Sequence, residues 1–128
     1  MTARLDLTPE ERDELASLLA VGSDSLGAML RRWSDLVTAV ERGYDDSIYE
    51  YTNDLSVRDR LERVAAGAGP ALSAKLRDAF ADDDRRFTDA TEEGGRPLGE
   101  SAGWWWRRVP RRRVGELAED LKALGYLA

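Results

Sequence analysis

Three consecutive tryptophans run into a cluster of arginines at Trp104-Trp105-Trp106-Arg107-Arg108-Val109-Pro110-Arg111-Arg112-Arg113. No other stretch of the chain concentrates residue types so suited to recognition. Each indole carries ~150–250 Å² of surface, and Trp and Arg are the types most enriched where proteins grip their partners. On a helix three adjacent side chains fan across roughly 200°, and on a strand the middle one faces opposite to its neighbours, so no single local face buries all three. The alternation singles out Trp105 as the ring expected to point away from Trp104 and Trp106. Charge follows the same segment: residues 96–113 carry a net +5 in a chain of net charge −6, which leaves −11 on the remainder. Three readings follow. The arginines dock over the chain's own acidic stretch, Asp82 to Glu93, and lie on the indoles; or they meet an acidic face of a protein partner; or they hold single-stranded nucleic acid by stacking and charge. Trp104, Trp105, Trp106, Arg107, Arg108, Arg111, Arg112 and Arg113 are therefore the candidate partner-binding residues. A protein with an acidic face is the first expectation, a second copy of the chain is another, nucleic acid ranks below both, and no membrane partner is expected.

A second cluster is polar and aromatic. Tyr44, Tyr49, Tyr51, Asn53, Asp54 and Arg58 supply the aromatic walls and few polar groups of a small-molecule pocket. The alternative is that one or two tyrosines enter the core while Asn53 and Asp54 serve a bend. Asp82-Asp83-Asp84 suggests a site for a hard cation, but consecutive helical side chains diverge by about 100° and cannot converge on one ion unaided. Their expected place is a solvated helix face, with Asp82–Arg86 and Arg85–Asp89 as four-apart pairs.

The chain has no His and no Cys, which removes the commonest general base, the usual zinc ligands and all thiol chemistry. Glycine-rich phosphate loops and the nucleophile elbow are missing as well. These absences point to a non-enzymatic protein with neither cofactor nor metal: an adaptor, inhibitor or neutralising partner. A small-molecule-binding helical domain and a nucleic-acid-associated protein are the alternatives. No apolar run at the N-terminus has signal-peptide length, since Arg4, Asp6 and the acidic residues from Glu10 interrupt it, so the expected location is cytoplasmic.

The elements that must position these residues are helices. Thr8-Pro9-Glu10-Glu11 combines an N-cap, a first-turn proline and the glutamate of a capping box, ahead of Leu15, Leu18 and Leu19. Gly22 offers a stop, and Ser23 or Asp24 a cap, before Leu26, Met29, Leu30, Trp33, Leu36, Val37 and Val40 recur at three- and four-residue spacing up to Gly43. Trp33 sits inside that stripe and is expected in the core. Ile48, Tyr51 and Leu55 fit a helix although Ile48–Thr52 is rich in strand-favouring types. Val57, Leu61 and Val64 then define a shifted stripe, which predicts a bend near Ser56. Gly67-Ala68-Gly69-Pro70 opens a longer helix with Leu72, Leu76, Ala79, Phe80, Phe87 and Ala90 inward, reaching about Thr91. Residues 93–103 form a Gly/Pro-rich loop ahead of the Trp/Arg segment, and a last helix carries Val114, Leu117, Leu121 and Leu124 before Gly125. The expected fold is all-α: a single helical domain over residues 1–128, built as a compact irregular bundle of five or six helices.

Overall fold

The computed structural model describes residues 5–19 and 25–126. Five α-helices account for most of them: α1 (Pro9–Leu18), α2 (Leu26–Arg42), α3 (Ile48–Gly67), α4 (Pro70–Ala90) and α5 (Gly115–Ala123). Between α4 and α5 lie a short 3-10 turn, Trp104–Arg107, and two three-residue strands, β1 (Thr91–Glu93) and β2 (Arg108–Pro110). The strands pair antiparallel with Thr91 opposite Pro110, Glu92 opposite Val109 and Glu93 opposite Arg108. The chain is thus mostly helical, with one two-stranded ribbon. That ribbon does not form at Ile48–Thr52, which is the first turn of α3.

Local signals explain several boundaries. Thr8 Oγ1 accepts from the Glu11 N–H while the Glu11 carboxylate accepts from the Thr8 N–H, which closes the capping box. Ser25, rather than Ser23 or Asp24, caps α2 by accepting from the Ala28 N–H; Gly22, Ser23 and Asp24 lie outside the described residues. Gly43 ends α2 at φ 113°, a conformation that favours glycine. At the C-terminus the Tyr126 N–H returns to the Leu121 carbonyl around Gly125, at φ 77°.

The core is organised around α3, which touches α1, α2, α4 and α5, while α2 also packs on α4. This central position explains why its apolar phase shifts. The two stripes are both buried, Tyr51 and Leu55 with Val57, Leu61 and Val64, because partners cover a wide arc of one unbroken helix. The helix continues through Ser56 without a break. Trp33, Met29, Val37 and Val40 of α2 are buried as their spacing predicts. Leu15, Leu18 and Leu19 are only half-buried, and α1 is secured by charge as well: Lys75 bridges to Glu11, and Glu14 accepts from the Gly69 N–H at the otherwise uncapped start of α4. Leu124, placed on the inner stripe by its spacing, is exposed because the helix has already turned at Ala123.

Candidate functional site

Arg58 stands on the buried face of α3 with 2 % of its surface exposed. Its guanidinium lies between two aromatic faces, 4.3 Å from the Phe80 ring centre and 4.4 Å from that of Trp105. Its edges are matched by carboxylates: Nε and Nη2 donate to the two oxygens of Asp84 at 2.9 and 2.7 Å, and Nη1 donates to Glu62 at 3.1 Å. The Trp33 indole N–H also donates to Asp84 Oδ1, at 3.0 Å. A cation desolvated to this degree is stable only when paired, and here α2, α3, α4 and the 3-10 turn all contribute.

The next residue, Asp59, holds the tryptophan segment. Its Oδ1 accepts from Trp105 Nε1 at 3.0 Å, from Trp106 Nε1 at 2.8 Å and from Ser101 Oγ at 3.0 Å. One carboxylate oxygen therefore satisfies both indoles that the turn buries. Gly103 makes the arrangement sterically feasible, because a Cβ at that position would overlap the Trp105 ring.

Of the three adjacent indoles, Trp105 and Trp106 are buried and Trp104 is 39 % exposed. This reverses the expectation from strand alternation, in which Trp105 faced outward. The segment is neither a regular helix nor a strand at this point, and the ceiling supplied by Asp59 and Arg58 lies on another element. Trp104 packs edge-on to Trp105, with ring centres 5.5 Å apart, and reaches Phe87 at 6.1 Å, so its inner edge is fixed while its outer face meets solvent.

That outer face borders a cleft of about 1090 Å³ between α3, α4 and residues 101–105. Phe80, Arg58 and Trp105 form its floor, and Arg63, Arg77 and Trp104 stand at its mouth. Arg77 grips both oxygens of Glu62, at 3.0 and 2.8 Å, and with Arg58 it holds that carboxyl below the ordinary glutamate range.

The arginines of the segment are divided among local partners. Arg107 pairs with Glu93, Arg111 and Arg113 with Glu92, and Arg108 donates to Thr91 Oγ1 and to the Thr88 and Thr91 carbonyls. Arg112 is exposed beside Gly43 and Val114. Docking over the chain's own acidic stretch is thus realised across the ribbon. The guanidinium that lies on the indoles, however, is Arg58 and not one of these. The loop at 93–103 is also tied down, by the Gly94 and Leu98 N–H groups donating to the Arg107 and Trp106 carbonyls.

The tyrosine cluster does not assemble into one pocket. Tyr44 and Tyr51 are buried edge-to-face, 5.2 Å between centres, with hydroxyls donating to Asp54 and to the Arg108 carbonyl; burial raises both above the ordinary tyrosine value. Tyr49 points to solvent at 82 % exposure, Asn53 is exposed, and Arg58, two turns along α3 from Tyr51, is taken up between Phe80 and Trp105. Helical spacing on α3 sends Tyr51 inward and Tyr49 outward, while Tyr44 is buried from the connection between α2 and α3. The aspartate run is likewise split. Asp82 pairs with Arg85 and Asp83 with Arg86, three apart rather than four, while Asp84 turns inward to Arg58. Arg86 reaches Glu41 on α2 instead of Asp82. Among the described residues no group of three acidic side chains converges as a metal site.

Nothing in the sequence singles out Asp59, Asp84 is expected on a solvated face and instead turns inward, and Arg58 is assigned to the wrong pocket. The available signal was positional: Arg58 lies three residues from both Leu55 and Leu61, so a charge falls on the buried stripe. No protein-family model, curated protein or solved structure matches this chain.

Proposed function

We propose that the chain is a non-enzymatic protein-interaction module, an adaptor, inhibitor or neutralising partner acting in the cytoplasm, that engages its partner at the Trp104 cleft. The observation that carries this reading is an indole 39 % exposed at the lip of a cleft of about 1090 Å³, held in place by Trp105 and Phe87. Rigid aromatic surface beside a concavity is the usual material of a binding hot spot. Within the tryptophan and arginine segment the labour divides: Trp104 makes contact, Trp105 and Trp106 position it, and Arg107, Arg111 and Arg112 add exposed positive charge nearby in sequence. An acidic partner face suits that charge, and a second copy of the chain is a partner to be tested alongside. The pairing of Arg107, Arg111 and Arg113 with Glu92 and Glu93 offsets part of that charge, which bears hardest on the nucleic-acid alternative, where phosphate neutralisation supplies most of the affinity. The dispersal of Tyr44, Tyr49 and Tyr51 weighs against a tyrosine-lined ligand pocket.

Affinity capture from the native extract at low and moderate salt, with sedimentation of the purified chain, tests the reading. The expected result is a stoichiometric protein, or a second copy, retained by the wild type and lost with Trp104→Ala at unchanged melting temperature. Retention of nucleic acid alone, or a partner indifferent to Trp104, overturns it.

A further inference from the structure

Three alanines interrupt the large side chains around the cleft. Ala66 on α3, Ala81 on α4 and Ala102 in the connecting segment are exposed and end at Cβ, which leaves space between the two helices and Trp104. The open apolar surface of the cleft is three methyl groups and the Trp104 face, with the Phe80 and Trp105 rings below on either side of the Arg58 guanidinium. The lining is formally neutral, with Arg58, Arg63 and Arg77 against Asp59, Glu62 and Asp84. The two signs are not equally available, however. Glu62 is held by Arg58 and Arg77, Asp84 by Arg58 and Trp33, and Asp59 Oδ1 by Ser101 and two indoles. Arg63, exposed on the same face of α3, takes part in none of these pairs, and Arg77 is only half-covered by its bond to Glu62. What the cleft still offers is a flat apolar seat with donors at the rim.

We infer that the cleft receives an aromatic side chain of the partner protein with an acidic residue beside it, the ring seated against Trp104 and the alanine methyls and the carboxylate meeting Arg63 and Arg77. This rests on the reading of the chain as a protein-interaction module and names the chemistry of the segment it binds. A bare cation is a poor occupant, since the aromatic slot nearest the carboxylates already holds the guanidinium of Arg58. A carboxylate without a ring leaves the apolar seat unfilled.

Short capped peptides test the chemistry on the whole chain: acetyl-Gly-Phe-Glu-Gly-amide, the same peptide with Lys for Glu, and the same with Ala for Phe. The indole N–H resonances of the four tryptophans report where each binds. The Phe-Glu peptide is expected to shift the Trp104 and Trp105 signals saturably, at about millimolar affinity, and to leave Trp33 unmoved. The Phe-Lys peptide should bind roughly two- to fivefold more weakly, the effect of an exposed ion pair, and the Ala-Glu peptide should not saturate. Ala81→Leu, a good helix former at an exposed position, should fill the seat and weaken binding about tenfold or more. Arg63→Glu should reverse the preference between Glu and Lys. Equal binding of the Glu and Lys peptides, or binding insensitive to Ala81→Leu with folding intact, overturns the inference. So does a native partner that is lost with Trp104→Ala yet indifferent to Ala81→Leu. Peptide binding as expected, with no protein captured from native extract, overturns instead the wider reading of function.

Discussion

Removing the Asp84 carboxylate, by Asp84→Ala, is the sharpest test of the charge arrangement beneath Trp104. The substitution takes away two bonds to Arg58, at 2.9 and 2.7 Å, and the acceptor of the Trp33 indole N–H at 3.0 Å. Arg58 stays in place with 2 % exposure, so its charge is left inside the fold. Breaking one side of a buried ion pair costs about 3–5 kcal/mol, and an orphaned indole N–H about 1–3 kcal/mol. These figures do not add here. Glu62 remains at 3.1 Å to compensate part of the charge, and water can enter where Asp84 had been, since its side chain is 21 % exposed. The expected cost is therefore about 3 kcal/mol, a large share of the roughly 5–15 kcal/mol that keeps a domain folded. In urea titrations followed by tryptophan fluorescence, a slope of about 1.5 kcal/mol per molar turns that cost into a midpoint lower by roughly 2 M. A companion variant, Arg58→Met with Asp84→Leu, removes both charges and should recover at least about 1 kcal/mol relative to Asp84→Ala alone. A loss below about 1 kcal/mol for Asp84→Ala, or strict additivity of the two sites, refutes the claim that a buried cation is held here by its partners.

Trp33→Ala should cost about 3–5 kcal/mol in the same assay, because a fully buried ring is replaced by a cavity; a variant that melts like the wild type removes α2 from the core. Trp105→Ala should be similarly costly, whereas Trp104→Ala should change stability by less than about 1 kcal/mol, and quencher should reach Trp104 and not Trp105. Glu62 is held below its ordinary value chiefly by the hydrogen bond from Arg77, so its contribution is present above the unfolded value and is lost as pH falls. Glu62→Gln should flatten the decline of stability between about pH 5 and pH 3; an unchanged acid limb contradicts that. Tyr51 is raised by burial, so the stability it confers is present below the unfolded value of about 10 and declines as pH rises above it. Ultraviolet difference spectra should show its ionisation only together with unfolding.

What the sequence made legible was local. The capping box at Thr8 to Glu11, the stripe of α2 and the glycine after α5 depend on residues within four or five positions of one another, and each formed as its spacing predicts. The shifted phase in α3 is ambiguous, since a broken helix and an unbroken one covered over a wide arc leave the same pattern. The decision came from how many neighbours surround α3, which no window of its own residues contains. The ribbon was unforeseen for the same reason: β1 is three residues at the end of α4, and its partner lies beyond a loop of irregular composition. The candidate site depended almost wholly on distant pairs, Arg58 with Asp84 and Asp59 with Trp105 and Trp106, separated by 26, 46 and 47 positions.

The tryptophan triplet shows how such pairs change a geometric premise. It is correct that no single local face buries three adjacent indoles, and one of them does remain exposed. Which one is exposed was decided elsewhere, by a carboxylate on α3 that reaches two indole N–H groups at once and by a guanidinium that lies against Trp105. With Trp105 and Trp106 fastened in this way, the 3-10 turn has no freedom to bring Trp104 inward. Its inner edge is held against Phe87 and Trp105. A side chain exposed yet braced against two rings has less rotamer freedom to lose on contact, and such preorganisation lowers the entropic cost that otherwise weakens association. If Asp59 is replaced by Ala, the two indoles lose their shared acceptor and the turn its anchor, so Trp104 should become mobile even where the helices survive. If the proposed binding through Trp104 holds, Asp59→Ala should weaken capture as Trp104→Ala does, while also lowering the melting temperature.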